Sequence, residues 1–225
     1  MAPSVLVIGG AIHFLAGPFT FYRQRFPHPR FSSLPDTDSM LVAFHKPYGV
    51  LSQFTPDHPG QRTLAEFDFP KGIFPIGRLD QDSEGLILLG NEPRLVTRLL
   101  DPRHGHPRTY HVQVEGEPDD AALRKLAAGG IDLKGHRTLP CQARHLDEPG
   151  YPPRNPPVRF RKSVPDRWIE MVLTEGKNRQ VRRMTAAVGF PTLRLIRAAI
   201  GGLKLKEIES GTWRELTTED RRKLG

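Results

Sequence analysis

Short apolar segments alternate with polar turns along the chain from residue 40 onward. Residues 41–46 (LVAFHK) and 86–91 (LILLGN) are nearly continuous apolar runs, which are typical of strands buried on both faces. Residues 108–116 (RTYHVQVEG) instead alternate between apolar and polar side chains, as a half-buried strand does. The segments TLPCQARHL and RWIEMVLTE predict two further strands.

Three segments carry helix signals. Residues 93–101 have a proline in the first turn, with Asn91 as a candidate cap, and residues 118–130 begin with proline and acids and end in glycines. The third helix is predicted to be capped by Asn178 and stopped by Gly189. Strands and helices do not follow a regular βαβ order, so the pattern favours an α+β fold over a doubly wound sheet.

The N-terminal residues differ from the rest of the chain. Residues 5–21 are apolar, but a histidine, glycines and a proline interrupt them. The segment is therefore too short and too interrupted to span a membrane. It also lacks the basic segment and cleavage site of an export signal. We therefore expect residues 1–38 to be a flexible extension and residues 39–225 to form the folded domain.

Composition indicates a polyanionic partner. The 225 residues contain 37% hydrophobic side chains, enough for a substantial core, and one cysteine, Cys141, which excludes a disulfide framework and fits a cytoplasmic protein. The formal charge is +8 and the pI about 9.9. Because binding to phosphates releases counterions, nucleic acid is the partner that this charge favours.

The densest positive charge lies in residues 175–191, EGKNRQVRRMTAAVGFP. Val181, Met184 and Val188 have helical spacing and are predicted to form the buried face of a helix. The basic side chains point away from that face as a group: Arg179, Arg182 and Arg183.

The segment GRLDQDSEG, residues 77–85, is predicted to be a loop between two buried strands, where side chains are held in fixed positions. Asp80 and Asp82 could hold Mg²⁺, although more oxygen ligands would be needed. Asp80 and Glu84 could form a glycosidase pair, but their separation cannot be read from the sequence. Alternatively, Asp82 and Ser83 serve only as turn residues and Glu84 faces solvent.

Several motifs together carry a family resemblance. GRLDQDSEG, then RTYHVQVEG, then EGKNRQVRRM and LRLIRAAIGG, occur in the order and spacing of the RNA pseudouridine synthases of the RsuA/RluB/RluE/RluF group, which the chain resembles over residues 41–216. The resemblance implies a pseudouridine synthase fold, with a mainly antiparallel mixed sheet, flanking helices and a central cleft. It also implies the isomerisation of uridine within RNA, without a metal, nucleotide or redox cofactor.

The resemblance implies three catalytic residues. Asp80 matches the essential carboxylate, which acts either as a nucleophile at the sugar or as a base on its 2′ hydrogen. Tyr110 matches the tyrosine that stacks near the flipped base and is a candidate for removing the C5 proton. Arg182 matches the basic residue that pairs with the aspartate, an arrangement that would keep the carboxylate ionised.

The first 38 residues are too short and too apolar to form the S4-type RNA-binding module of several group members. RNA binding is then expected from the catalytic domain, including the insertion 154–167. Together with the likeness to large-subunit enzymes, this favours 23S ribosomal RNA as the partner, either free or in an assembling large subunit. We expect the enzyme to be a monomer. The expected RNA contacts are Arg78, Arg108, Lys177, Arg179, Arg183 and Arg197.

Two other functional classes stay open at this point. A non-catalytic rRNA-binding or ribosome assembly protein would explain the charge, but not an aspartate and a tyrosine at motif positions. A metal-dependent nuclease would use Asp80 and Asp82, would need Mg²⁺ and would cut the RNA.

Overall fold

The computed structural model of the chain describes residues 39–159, 161, 163–206 and 208–224, so the predicted extension 1–38 lies outside the described residues. The strands are β1 Leu41–Lys46, β2 Phe74–Ile76, β3 Glu84–Gly90, β4 Arg108–Glu115, β5 Gln142–Leu146, β6 Asp166–Leu173, β7 Thr192–Ile200, β8 Leu203–Lys204 and β9 Trp213–Glu215. The α-helices are α1 Pro93–Leu100, α2 Asp120–Ala128, α3 Gln180–Ala187 and α4 Thr218–Lys223.

The strands form one mixed sheet with the order β5-β6-β4-β7-β3-β1-β9, while β2 pairs with β3 and β8 pairs with β7. The pairing of β3 with β7 is parallel, and the other strand pairs in the described part of the chain are antiparallel. The α+β class and the mainly antiparallel sheet predicted from the sequence are therefore confirmed.

The central strands β1 and β3 are buried along their whole length because both faces of the sheet are covered. Val42 and Phe44 pack on one face with an aromatic cluster that contains Phe67 and Phe69. Leu41 and Leu86 pack on the opposite face, against the side of the sheet that α1 covers. Burial of each such side chain contributes about 1.5–3 kcal/mol, which explains why these two strands read as continuous apolar runs.

The first two helices lie within two residues of their predicted bounds. In α2, Asp119 caps the helix by accepting a hydrogen bond from the backbone N–H of Ala122 at 2.8 Å. In α1, the expected cap Asn91 is not used as one. Its side-chain oxygen instead accepts a hydrogen bond from the backbone of Met40 at 2.9 Å, which ties the end of β3 to the start of β1.

The third helix begins later than its sequence predicts. The cap position is Arg179, with a left-handed φ of 49°, and not Asn178. The reason is local, because the side chain of Gln180 reaches back and accepts a hydrogen bond from the backbone N–H of Lys177 at 2.9 Å. The predicted buried positions Val181 and Met184 do face the core.

Tyr151 and Arg154, at or just before the start of the insertion 154–167, contact the sheet and the loop after β1. Tyr151 lies 6.0 Å from the Trp168 ring, and its hydroxyl is 2.9 Å from Nδ1 of His111. The guanidinium of Arg154 stacks over the Tyr48 ring at 4.0 Å. No helix in the described ranges is both long enough and apolar enough to cross a membrane.

Candidate active site

The Asp80 loop, residues 77–83, joins β2 to β3 and is anchored by a neighbouring segment. The Ser52 hydroxyl donates a hydrogen bond to the carbonyl of Leu79 at 2.8 Å and accepts one from its backbone N–H at 3.0 Å. The Leu79 side chain is buried, and the N–H of Ser83 donates to the carbonyl of Asp80 at 3.0 Å. Both the N–H and the carbonyl of Leu79, the residue before Asp80, are thus held by hydrogen bonds. This limits how far the Asp80 carboxylate can move.

A buried lysine also contacts the Asp80 loop. Lys46 is fully buried, and its ammonium donates hydrogen bonds to the carbonyls of Pro47 at 2.9 Å and Val50 at 2.7 Å. A longer contact of 3.5 Å reaches the carbonyl of Gln81 in the Asp80 loop. Burial lowers the pKa of Lys46 to about 7, although the nearby carboxylates oppose the shift. No role was predicted for this side chain, although a lysine at the end of an apolar strand is an unusual signal in the sequence that could have identified it.

The start of β3 lies very close to the backbone of β7, with which it pairs in parallel. A Cβ on Gly85 would lie 2.4 Å from the carbonyl oxygen of Arg197, and φ at this glycine is 107°, so no larger residue fits. Next to it, Glu84 is buried and accepts two hydrogen bonds from Arg194. The expectation that Glu84 faces solvent is therefore wrong, and both of its oxygens are occupied by Arg194 rather than aimed at Asp80 as in a glycosidase pair.

The acidic and basic groups of the two main motifs meet in one place. Arg179 donates to both oxygens of Asp82 at 2.9 and 2.8 Å and lies 3.6 Å from the carboxylate of Asp80. Arg182 lies 3.4 Å from the Asp82 carboxylate, and its Nη2 donates to the Asp82 carbonyl at 2.6 Å. The arginine in direct contact with Asp80 is thus Arg179, whereas Arg182 holds the backbone of the Asp80 loop.

These contacts decide the charge state of Asp82. Burial opposes ionisation of this carboxyl group, but the Arg179 hydrogen bonds and the nearby Arg182 charge outweigh it and lower the Asp82 pKa. The Asp82 carboxylate is therefore already neutralised by two cations, which disfavours it as a magnesium ligand. Among the described residues, no group of three or more His, Cys, Asp or Glu side chains could hold a metal ion.

Tyr110 and Arg197 face each other across the β4–β7 pair, next to a bulge in β7. Arg197 is only 4% exposed, and its Nε donates to the carbonyl of Leu86 at 2.7 Å. Burial lowers the pKa of Arg197, and the nearby Tyr110 side chain partly offsets this effect. Arg197 is therefore buried beside Tyr110, and both residues form part of the floor of a cleft.

An open cleft of about 860 Å³ runs over this floor. Seven of the nine predicted site residues line it: Arg78, Asp80, Arg108, Tyr110, Lys177, Arg179 and Arg197. Arg182 and Arg183 are absent from its lining, and the guanidinium of Arg183 donates to the backbone carbonyl of Leu133. The tertiary structure thus brings together motifs that lie about 100 residues apart in the chain.

The rim of the cleft carries several of the predicted cations. Arg78 is exposed, and its guanidinium donates to the side-chain oxygen of Gln53 at 3.0 Å. Lys177 is also exposed, whereas Arg108 is partly buried and donates to the carbonyl of Leu99 at 3.2 Å. A cleft with a carboxylate and a tyrosine on its floor and cations at its rim has the composition expected of a site for a flipped nucleotide of an RNA chain.

Comparisons with known proteins agree with this geometry. The RNA pseudouridylate synthase family model matches residues 40–187, more than half of the chain. The ribosomal large subunit pseudouridine synthase E of Xanthomonas campestris pv. campestris is 55% identical over 177 residues, which cover 78% of this chain and 94% of that protein. The protein of the same name from Vibrio vulnificus is 47% identical over 185 residues, which cover 82% of this chain and 78% of that protein.

A solved structure shows the same fold. A crystal structure described as pseudouridylate synthase superposes with a TM-score of 0.69 at 26% sequence identity, covering 84% of this chain and 74% of that chain. The pseudouridine synthase fold predicted from the motifs is thereby confirmed. Motif order, the residues gathered in the cleft and these likenesses lead to one conclusion: the chain belongs to the RNA pseudouridylate synthase family and is an RNA pseudouridine synthase.

Proposed function

We propose that this enzyme converts a specific uridine of 23S ribosomal RNA to pseudouridine, with Asp80 as the essential carboxylate. The observation that carries the proposal is the position of Asp80 on the cleft floor, 3.6 Å from Arg179 and in a cleft that Tyr110 also lines. The choice of 23S rRNA rests on the relatives, whose names describe them as acting on the large ribosomal subunit. We also propose that the enzyme acts as a monomer in the cytoplasm.

In the proposed reaction the N1–C1′ bond of the target uridine breaks, the uracil turns, and C5 bonds to C1′. The C5 proton leaves, and N1 regains a proton, so the product is an isomer and no oxidant or reductant is needed. The carboxylate of Asp80 either attacks C1′ or removes the 2′ hydrogen, and both steps need its ionised form. The Arg179 guanidinium, 3.6 Å from the Asp80 carboxylate, places a positive charge beside this group.

Tyr110 is the candidate group for the C5 proton, because it lines the cleft with Asp80 and offers both a stacking face and a hydroxyl. Arg182 acts in this proposal as a positioning residue, since it holds the Asp80 loop through the carbonyl of Asp82. The flipped nucleotide is expected because C1′ and C5 of a stacked, paired uridine are hard for protein groups to reach.

The test is the release of tritium from 23S rRNA that is labelled at C5 of uridine. Wild-type protein should release tritium, Asp80→Asn should release none while it still binds RNA, and Asp147→Asn, a change at an exposed position outside the cleft lining, should behave like wild type. Full activity of Asp80→Asn would overturn the assignment. Substrate with deuterium at C2′ then separates the two roles of Asp80, because a primary isotope effect is expected only if that hydrogen is removed in a rate-limiting step.

A further inference from the structure

Two exposed leucines lie at the mouth of the cleft. Within the described residues, the exposed large hydrophobic side chains are Phe74 (59% exposed), Leu100 (44%) and Leu139 (52%). Leu100 and Leu139 both line the cleft, whereas Phe74 does not. Exposed apolar side chains are common singly, but two at the entrance of one basic cleft need a reason.

The backbone of Leu139 is held firmly although its side chain is exposed. Its N–H donates a hydrogen bond to the carboxylate of Glu175 at 2.8 Å. On the other side, a Cβ on Gly129 would lie 2.6 Å from the carbonyl carbon of Leu139, so the two backbone segments are in direct contact. The exposure of the leucine side chain therefore does not result from a loosely attached loop.

The anchor of Leu139 is itself fixed to the elements that line the cleft. Glu175 also accepts a hydrogen bond from the side-chain nitrogen of Gln180 at 2.5 Å, and its second oxygen lies 2.8 Å from Nε2 of His136. Burial raises the Glu175 pKa, but the hydrogen bonds outweigh this effect and lower it, so the carboxylate stays ionised. Gln180 begins α3, the helix that follows Arg179. The position of Leu139 is thereby coupled to the group that contacts Asp80.

Base flipping provides a role for an exposed apolar side chain at the entrance of the cleft. When a nucleotide leaves the helix, its neighbours lose a stacking partner, and an apolar side chain that enters the gap restores part of the lost contact. Cationic side chains at the rim are suited to the phosphates of the RNA, whereas an apolar side chain is suited to the faces of the bases. A leucine on a fixed backbone fits this role, since little conformational entropy is lost when it makes contact.

We propose that Leu139 contacts the base next to the target uridine and holds open the gap that the flipped nucleotide leaves. Leu100, the other exposed leucine of the cleft lining, lies at the start of the Asp80 loop, because a Cβ built on Gly77 would be 3.2 Å from its Cδ2. This inference rests on the proposed function, because it requires an RNA substrate in the cleft. Leu139 is a positioning residue in this scheme and takes no part in the bond changes.

The test compares two RNA fragments that contain the uridine modified by the wild type. In one fragment the uridine is paired inside a helix, and in the other it lies opposite an abasic site, where less stacking and pairing energy must be overcome. Under single-turnover conditions, Leu139→Ala should lose about tenfold in rate on the paired fragment, the size expected for losing one stacking contact. On the second fragment the loss should be twofold at most.

Three control variants complete the experiment. Leu139→Met keeps an apolar side chain and should restore activity on the paired fragment, whereas Leu139→Asn should show the same selective loss as Leu139→Ala. Phe74→Ala removes an apolar group that is at least as exposed as Leu139 but lies outside the cleft lining, and it should match wild type on both fragments. A 2-aminopurine placed beside the target uridine should report less unstacking with Leu139→Ala.

Other outcomes would overturn the inference. An equal loss on both fragments would assign Leu139 a structural role, and no loss on either would show that it makes no useful contact. Normal activity on RNA fragments with a defect only on large-subunit particles would point to a protein contact instead. Failure of the proposed function is distinguishable, because wild type would then release no tritium from 23S rRNA, or Asp80→Asn would release as much as wild type, whatever residue stands at position 139.

Discussion

Glu84 and Arg194 form a buried, bidentate ion pair one residue after the Asp80 loop. Both oxygens of Glu84 lie 2.8 Å from nitrogens of Arg194, and the two side chains are only 6% and 9% exposed. The pair joins the first residue of β3 to β7, at the place where these strands run parallel. Since β3 starts where the loop ends, the ion pair fixes one end of the segment that carries Asp80.

Removing one partner of this pair should destabilise the folded protein, because the other charge stays buried without its partner. We expect Glu84→Gln to lower the free energy of unfolding by about 3 kcal/mol. The matched control is Glu219→Gln, which breaks the exposed Glu219–Lys223 contact of 3.0 Å and should cost less than about 1 kcal/mol. Urea unfolding of the three proteins measures both values, and equal losses would contradict the assignment of a buried structural pair.

Asp82 should matter for activity without being essential. Asp82→Asn weakens the hydrogen bonds that orient Arg179 and leaves the Asp80 carboxylate unchanged. We expect the single-turnover rate to fall about tenfold, which corresponds to ~1.4 kcal/mol. Tritium release at saturating enzyme measures this rate. A loss as complete as that of Asp80→Asn would mean that Asp82 itself takes part in the chemistry.

Lys46 should give the protein a pH-dependent stability. Its pKa is about 7 in the folded protein, against 10.5 as the ordinary value, so the unfolded chain binds more protons between these two limits. Stability therefore rises with pH in this window, by up to about 1.4 kcal/mol per pH unit, and the effect is absent below pH 7.

The measurement is urea unfolding of wild type and Lys46→Met between pH 6 and pH 9. The difference in unfolding free energy should shift in favour of wild type above about pH 7, and should stay constant below it. Groups such as Tyr151, with its pKa raised by burial to about 12, are common to both proteins and cancel in the comparison. A difference that does not vary with pH would show that the lysine keeps its ordinary pKa.

Lys177 should contribute to RNA binding through its charge alone. It is exposed at the rim of the cleft, so Lys177→Ala should weaken binding uniformly across RNA sequences and lower the slope of log Kd against log salt by about one. Lys71→Ala, at an exposed position outside the cleft lining, is the control and should leave the slope unchanged. Filter binding at several salt concentrations gives the slopes, and identical slopes for both variants would remove Lys177 from the RNA contact surface.

The sequence by itself located most of the strands and helices and identified the family. Apolar runs and alternation located β1, β3 and β4 because burial on one or both faces imposes those patterns locally. The order and spacing of four motifs identified the family before any contact was known. Seven of the nine predicted residues do line one cleft.

Only the tertiary structure decided which groups meet. The contact between Arg179 and Asp80, the burial of Glu84 against Arg194 and the support of the Asp80 loop by Lys46 all join segments that are distant in the chain. Local patterns do not encode such pairings, because an isolated acid or base reads the same whether it faces solvent or a partner about 100 residues away. The exposure of Leu139 on a fixed backbone likewise depends on Glu175 and Gly129, which are brought to it by the fold.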